Sequence, residues 1–132
     1  MIADERLKLL LARLAPHLDR DEVALTGGVA VELHLTAAGR PGLRAGVADV
    51  DFVARRMDAV APSVARDFLV SHYHVAQPGV NKAIVQVVDP VTRLRVDVFP
   101  DLAGMRTHAA RAEVAGTRCL VVAAAELLAF KL

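Results

Sequence analysis

The chain has 132 residues, 55% of them hydrophobic and 23% charged, which fits one folded domain and excludes an intrinsically disordered chain. Lys and Arg number 16 against 15 Asp and Glu, leaving a formal charge of +1. That excess is too small for a protein that coats duplex nucleic acid through its phosphates, although a local basic groove stays compatible with it.

Leu7, Leu10, Leu11 and Leu14 recur at helical spacing behind Asp4 and Glu5, acids that suit a first turn, and Pro16 ends that helix. Val23-Ala24-Leu25 reads as a short strand, Thr26-Gly27-Gly28 as a tight glycine turn, and Val29 to His34 as a helix. Residues 37–47, with three glycines and a proline, read as a loop. Ala48 to Val53 alternates strictly and predicts a strand. Asp58 is placed to cap a helix running to about Val70, with Pro62 in its first turn. Tyr73–Ala76, Ala83–Val88 and Leu94–Phe99 read as strands, the last two joined by the turn Asp89-Pro90-Val91-Thr92. An extended piece at Ala112–Ala115, a turn at Gly116-Thr117, a strand at Cys119–Val122 and a helix from Ala123 to Leu132 complete the chain. Helix and strand alternate throughout, so a single mixed α and β domain over 1–132 is expected.

The single cysteine, Cys119, has no partner for an internal disulfide and reads as a small buried hydrophobe rather than a nucleophile. The acidic N-terminus lacks the positive charge of a secretory signal. No apolar run reaches the roughly 18 residues of a membrane span. A cytoplasmic protein without a membrane partner is therefore expected.

The chemistry centres on Asp49-Val50-Asp51. On a strand the two carboxylates share a face, roughly 7 Å apart, while Val50 and Phe52 point to the other side. Carboxylates held so close repel unless a cation lies between them, and a hard divalent ion such as Mg²⁺ prefers carboxylate and phosphate oxygens. The plain alternative is one solvated polar strand face. Gly27-Gly28, between a strand and a helix, lets a ligand approach the backbone and offers free amides to an anion. Thr26 adds a hydroxyl donor or serves as the helix cap. In Arg93-Leu94-Arg95-Val96-Asp97-Val98-Phe99, alternation puts Arg93, Arg95 and Asp97 on one face. Asp97 is thus a third strand carboxylate, or else half of an ion pair with Arg95. A glycine turn, a paired-carboxylate strand and a third carboxylate suit two-metal phosphoryl chemistry.

These stretches resemble the nucleotidyltransferase superfamily of the polymerase-beta kind, and within it the AbiEii-like branch of abortive-infection and toxin–antitoxin proteins. The resemblance is carried by Leu25-Thr26-Gly27-Gly28-Val29-Ala30-Val31-Glu32-Leu33, Asp49-Val50-Asp51-Phe52-Val53, Arg95-Val96-Asp97-Val98-Phe99 and the closing run from Val121 to Leu132. It implies an α+β domain, a nucleotidyltransferase-like mixed β-sheet with helices packed mainly on one face. It implies transfer of a nucleoside monophosphate from an NTP to a hydroxyl acceptor on RNA, protein or a small molecule, with Mg²⁺ or Mn²⁺ as cofactor. Thr26, Gly27 and Gly28 would hold the phosphates, Asp49, Asp51 and Asp97 the metal, and Lys131 would stand near the triphosphate. Asp97 would also help deprotonate the acceptor. A cognate toxin or antitoxin chain is an implied partner. The alternative is a non-catalytic nucleotide-binding or antitoxin module of the same fold.

The chain departs from that pattern in three places. The 20 residues between Gly28 and Asp49 exceed the family's spacing, so residues 37–47 read as an insertion. Val47 stands where relatives often carry Ser or Thr. Relatives continue into a helical region past the position of Leu132, so a minimal member or a separate C-terminal part is expected.

Smaller candidates have plainer readings beside their functional ones. His72 and His74 share a strand face and form a zinc pair or two surface histidines. His34 and Glu32 read as framework. Arg40 and Arg44 contact phosphates or lie in a solvated loop, Arg55 and Arg56 help an acidic substrate to dock or simply end the strand, and Asp101 falls beyond Pro100, off the strand face.

Overall fold

The computed structural model describes residues 5–40, 48–74, 83–101 and 104–131, apart from the side chains of 74 and 129–131. Its centre is a seven-stranded mixed sheet. The strands are β1 (Val23–Thr26), β2 (Asp49–Ala54), β3 (Leu69–His74), β4 (Ile84–Val88), β5 (Arg95–Pro100), β6 (Ala110–Val114) and β7 (Thr117–Val121). They lie in the order β3-β4-β5-β2-β1-β7-β6. β2 runs parallel to β5 and β1 parallel to β7, while the other neighbours are antiparallel. Three helices accompany the sheet: α1 (Glu5–Leu14), α2 (Gly27–Ala37) and α3 (Ala124–Lys131). The chain is therefore mixed α and β, as its alternation of elements predicts. No described helix is long and apolar enough to cross a membrane.

The leucines of α1 explain its position. Leu7, Leu10, Leu11 and Leu14 are all buried, and each contributes about 2 kcal/mol by leaving water. Leu11 and Leu14 line one small cavity together with Val23, Phe52 and Cys119, so α1 covers the sheet face that carries Phe52. That face continues as Leu25, Val50, Val96, Val98, Val85 and Val87, all buried. The polar face is the other one.

The helix expected from Asp58 to Val70 does not form. Two short 3₁₀ turns stand there, Met57–Ala59 and Pro62–Arg66, and β3 begins at Leu69. Pro62 lacks a backbone donor, so a helix entered before it could not continue its ladder. Instead the Ala61 amide bonds the His17 carbonyl at 2.8 Å, which ties the segment to the end of α1. Tertiary bonds thus replace helical ones. The strand expected at Tyr73–Ala76 is shifted toward Leu69, and 75–76 lie outside the described residues. The hairpin of β6 and β7 turns at Ala115 and Gly116, both with positive φ (48° and 86°), one residue earlier than expected. Two residues of that hand match the twist of the flanking strands.

Candidate functional site

The parallel pairing of β2 with β5 assembles the carboxylates. Its register places Asp51 beside Asp97 and Asp49 beside Arg95. On the other side of β2, Thr26 pairs with Asp51, and beyond β5, Gln86 pairs with Asp97 and His72 with Gln86. Paired residues share a face, so His72, Gln86, Asp97, Asp51 and Thr26 form one polar row across five strands, each step about 4.8 Å. Asp49 and Arg95 make the next row, beyond the point where β1 gives way to α2.

Burial deepens along this group. The Asp49 side chain is 49% exposed and that of Asp97 is 5% exposed. Arg95 bridges them, with its Nη2 3.0 Å from Asp97 Oδ2 and its Nε 3.6 Å from Asp49 Oδ1. The ion pair foreseen for Asp97 therefore forms, but with a buried acid. Asp97 Oδ1 is buried and has no hydrogen-bond partner. An orphaned carboxylate oxygen in a low-dielectric setting costs free energy that a bound cation or donor would recover.

Gly27 and Gly28 are the first turn of α2 itself rather than a separate turn. Gly27 has φ +66°, a conformation that disfavours side chains. A Cβ built there would collide with Asp51 Oδ2 and sit 3.1 Å from the Asp51 Cβ and Cγ. Glycine is thus required twice, by backbone conformation and by the carboxylate against it. Thr26 is the N-cap residue and is buried, yet its hydroxyl makes no capping bond, which leaves the first-turn amides uncapped by it.

The remaining candidates separate by position. Lys131 is the last residue of α3, and its side chain lies outside the described residues, as does that of His74. Arg44 also falls outside them, and Arg40 is exposed. His34 donates from Nε2 to the Val122 carbonyl at 2.8 Å, tying α2 to the end of β7. Asp101 accepts the amides of Met105 and Arg106 at 2.7 and 2.9 Å, holding a turn. Arg55 grips Glu22 with bonds of 2.6 and 2.8 Å. Cys119 is buried, and loss of hydration pushes its thiol up to about 11. An apolar groove of about 500 Å³, lined by Leu33, Ala37, Ala112 and Val121 among others, includes none of the three aspartates.

Gln86 is the site residue that sequence reasoning passes over. Its signal is the lone polar side chain in Ile84-Val85-Gln86-Val87-Val88. Only the pairing of β4 with β5 turns that oddity into a neighbour of Asp97.

Among the described residues, no three His, Cys, Asp or Glu side chains are already gathered round a point for a metal ion. No protein-family model, curated protein or solved structure matches the chain.

Proposed function

We propose that the domain is a nucleotidyltransferase-like protein that moves a nucleoside monophosphate from an NTP to a hydroxyl acceptor. The observation that carries this reading is the juxtaposition of Asp51 and Asp97 on adjacent parallel strands, with the glycine start of α2 against Asp51. The resemblance of Leu25–Leu33, Asp49–Val53 and Arg95–Phe99 to AbiEii-like proteins supports it independently.

The residues fit a divalent metal in chemistry. Asp49, Asp51 and Asp97 offer oxygen donors, which Mg²⁺ or Mn²⁺ prefers, and Asp97 Oδ1 lacks any other partner. When bound, such an ion would supply charge neutralisation for the phosphates. The chain's own residues do the rest. Amides at the start of α2 receive phosphate oxygens, aided by the helix dipole. Thr26 stands at that entry with its hydroxyl free of capping. Asp97 would take the proton of the acceptor hydroxyl as the hydroxyl oxygen, not the carboxylate, bonds the α-phosphorus. The bond from the α-phosphorus to the bridging oxygen breaks, and pyrophosphate leaves with the electron pair. Lys131 is assigned to the triphosphate by resemblance.

The Arg95 bridge favours a second reading, a non-catalytic nucleotide-binding or antitoxin module of this fold, because the carboxylates already have a counter-charge. Either reading suits a component of a toxin–antitoxin pair with a cognate chain as partner.

Thermal unfolding separates these readings from an inert scaffold. A ligand present at a hundred times its Kd and bound only by the folded state adds about 2.7 kcal/mol, several degrees in Tm for this size. Mg²⁺ with NTP is expected to give that shift, NTP alone much less, and Asp51→Asn is expected to lose most of it. A Tm unmoved by millimolar Mg²⁺ with each of the four NTPs would sink the transferase and the nucleotide-binding module, leaving only an antitoxin module that does not bind nucleotide. A shift without turnover on RNA, protein or small hydroxyl acceptors selects the binding module.

A further inference from the structure

We propose that Arg95 is the counter-cation of the Asp49 and Asp97 carboxylates and the residue that grips the triphosphate when metal and nucleotide arrive. This rests on the nucleotide reading of the same carboxylates. Arg95 lies across the β2–β5 pair from Asp49 and two residues before Asp97 on its own strand, so one guanidinium reaches both acids. Its hold is weak. The Asp49 contact is 3.6 Å, longer than a hydrogen bond, the side chain is 50% exposed, and Asp97 Oδ1 remains without a partner.

Arg13 shows what a fixed arginine looks like in this molecule. It brackets the Asp89 carboxylate at 3.2 Å, donates to the Asp67 carbonyl at 2.9 Å and lies 5.6 Å from the centre of the Phe68 ring. Arg95 has two carboxylates and no such clamp among the described residues. A hard divalent cation binds carboxylate oxygens better than a guanidinium does, so it displaces Arg95 from them. The freed guanidinium then stands one residue row along the sheet from the start of α2 and across β2 from it, with a planar fork of donors, which suits a polyphosphate.

The two roles predict opposite effects of one substitution. Mn²⁺ binding is read by the paramagnetic resonance of the free ion, and Mg²⁺–tripolyphosphate binding by calorimetry, which needs no knowledge of the base. Arg95→Gln is expected to bind Mn²⁺ alone about tenfold more tightly, and Mg²⁺–tripolyphosphate about tenfold more weakly, the scale of one unit charge a few ångströms away in a wet site. Arg95→Lys keeps the charge without the fork. It is expected to bind Mn²⁺ like the wild type and tripolyphosphate severalfold more weakly, and it carries the test if the Gln variant fails to fold.

Asp51→Asn distinguishes this proposal from the reading beneath it. If Mn²⁺ binds the wild type, Asp51→Asn abolishes that binding and Arg95→Gln leaves it unchanged or weaker, the counter-cation role is overturned while the nucleotide site stands. Unchanged tripolyphosphate affinity in both Arg95 variants overturns the phosphate role. If Mn²⁺ binds none of the proteins at millimolar concentration, the metal site and this proposal fall together.

Discussion

Asp89 and Asp97 are both buried aspartates facing an arginine, yet the fold treats them differently. Asp89, after β4, is fully buried, and both its oxygens are satisfied. Arg13 Nε donates to each oxygen, the Val91 amide to Oδ1 at 3.0 Å, and the Thr92 hydroxyl to Oδ2 at 2.9 Å. Asp97, on β5, has one oxygen on a half-exposed arginine and the other on nothing. The first carboxylate organises a turn and joins it to α1. The second sits in an arrangement that its own neighbours do not complete. Buried acids that serve architecture have their partners supplied, and an acid left incomplete next to a second acid and a helix start marks a site for something brought from outside.

The largest effect expected from this contrast is on stability. Asp89→Ala removes the acceptor for Arg13, Val91 and Thr92, and leaves the buried Thr92 hydroxyl proton without its acceptor, so it should cost about 3 kcal/mol. Asp97→Asn removes one negative charge from a group of three and only one ion pair, and should change stability by less than about 1 kcal/mol in either direction. Urea unfolding of both variants without metal measures the difference. Equal costs would mean that Asp97 is as structural as Asp89.

Much of this site is legible in the chain. The alternation of Asp49-Val50-Asp51 separates the polar and core faces as the structure has them, and Val50 and Phe52 are buried as that alternation requires. Glycine at 27 is legible as a close approach, although not what approaches it. What local pattern cannot supply is the parallel neighbour, because β2 and β5 are joined through β3 and β4 and their register depends on packing far along the chain. Hence Gln86 beside Asp97, and His72 in the same row, emerge only from the sheet order. The segment after Asp58 misleads for a related reason. Val60, Val64 and Phe68 are buried at helix-like spacing, but the Tyr73 hydroxyl on the Val60 carbonyl and the Ala61 amide on His17 hold it as 3₁₀ turns. The ring of His17 adds bonds to Ser63 (2.8 Å) and Asp67 (2.7 Å) in the same segment.

A second, smaller effect sharpens the contrast from the glycine side. Gly27→Ala combines a left-handed backbone with a collision against Asp51, and should cost about 2 kcal/mol. If the carboxylate is half of that problem, Asp51→Ala should reduce the cost of the glycine substitution to about 1 kcal/mol in a double-mutant cycle. The residual is the backbone conformation together with the 3.1 Å approach of the Cβ that alanine at 51 retains. Strictly additive costs would show that Asp51 does not rest against Gly27 in solution, and the phosphate cradle would lose its wall.

The smallest effect concerns Glu22, a half-buried acid, 15% exposed, whose arginine partner is mostly in solvent. Arg55 hydrogen-bonds Glu22 with both nitrogens and holds its carboxyl below the ordinary glutamate value of 4.5, against an opposing push from desolvation. A carboxyl whose value is lowered in the folded state binds its proton more readily when unfolded. Its stabilisation is therefore complete above the unfolded value and is lost as pH falls through the lowered one. Wild type and Glu22→Gln should thus differ slightly in stability at pH 7 and converge as the solution is acidified below 4.5. Because the Arg55 side chain is 62% exposed, the gap at pH 7 should also close in molar salt, as screened surface pairs do. Asp89→Ala should remain costly in the same salt, since its bonds are buried. A Glu22 effect that survives molar salt would place this pair with Asp89 among the structural acids rather than on the solvated surface.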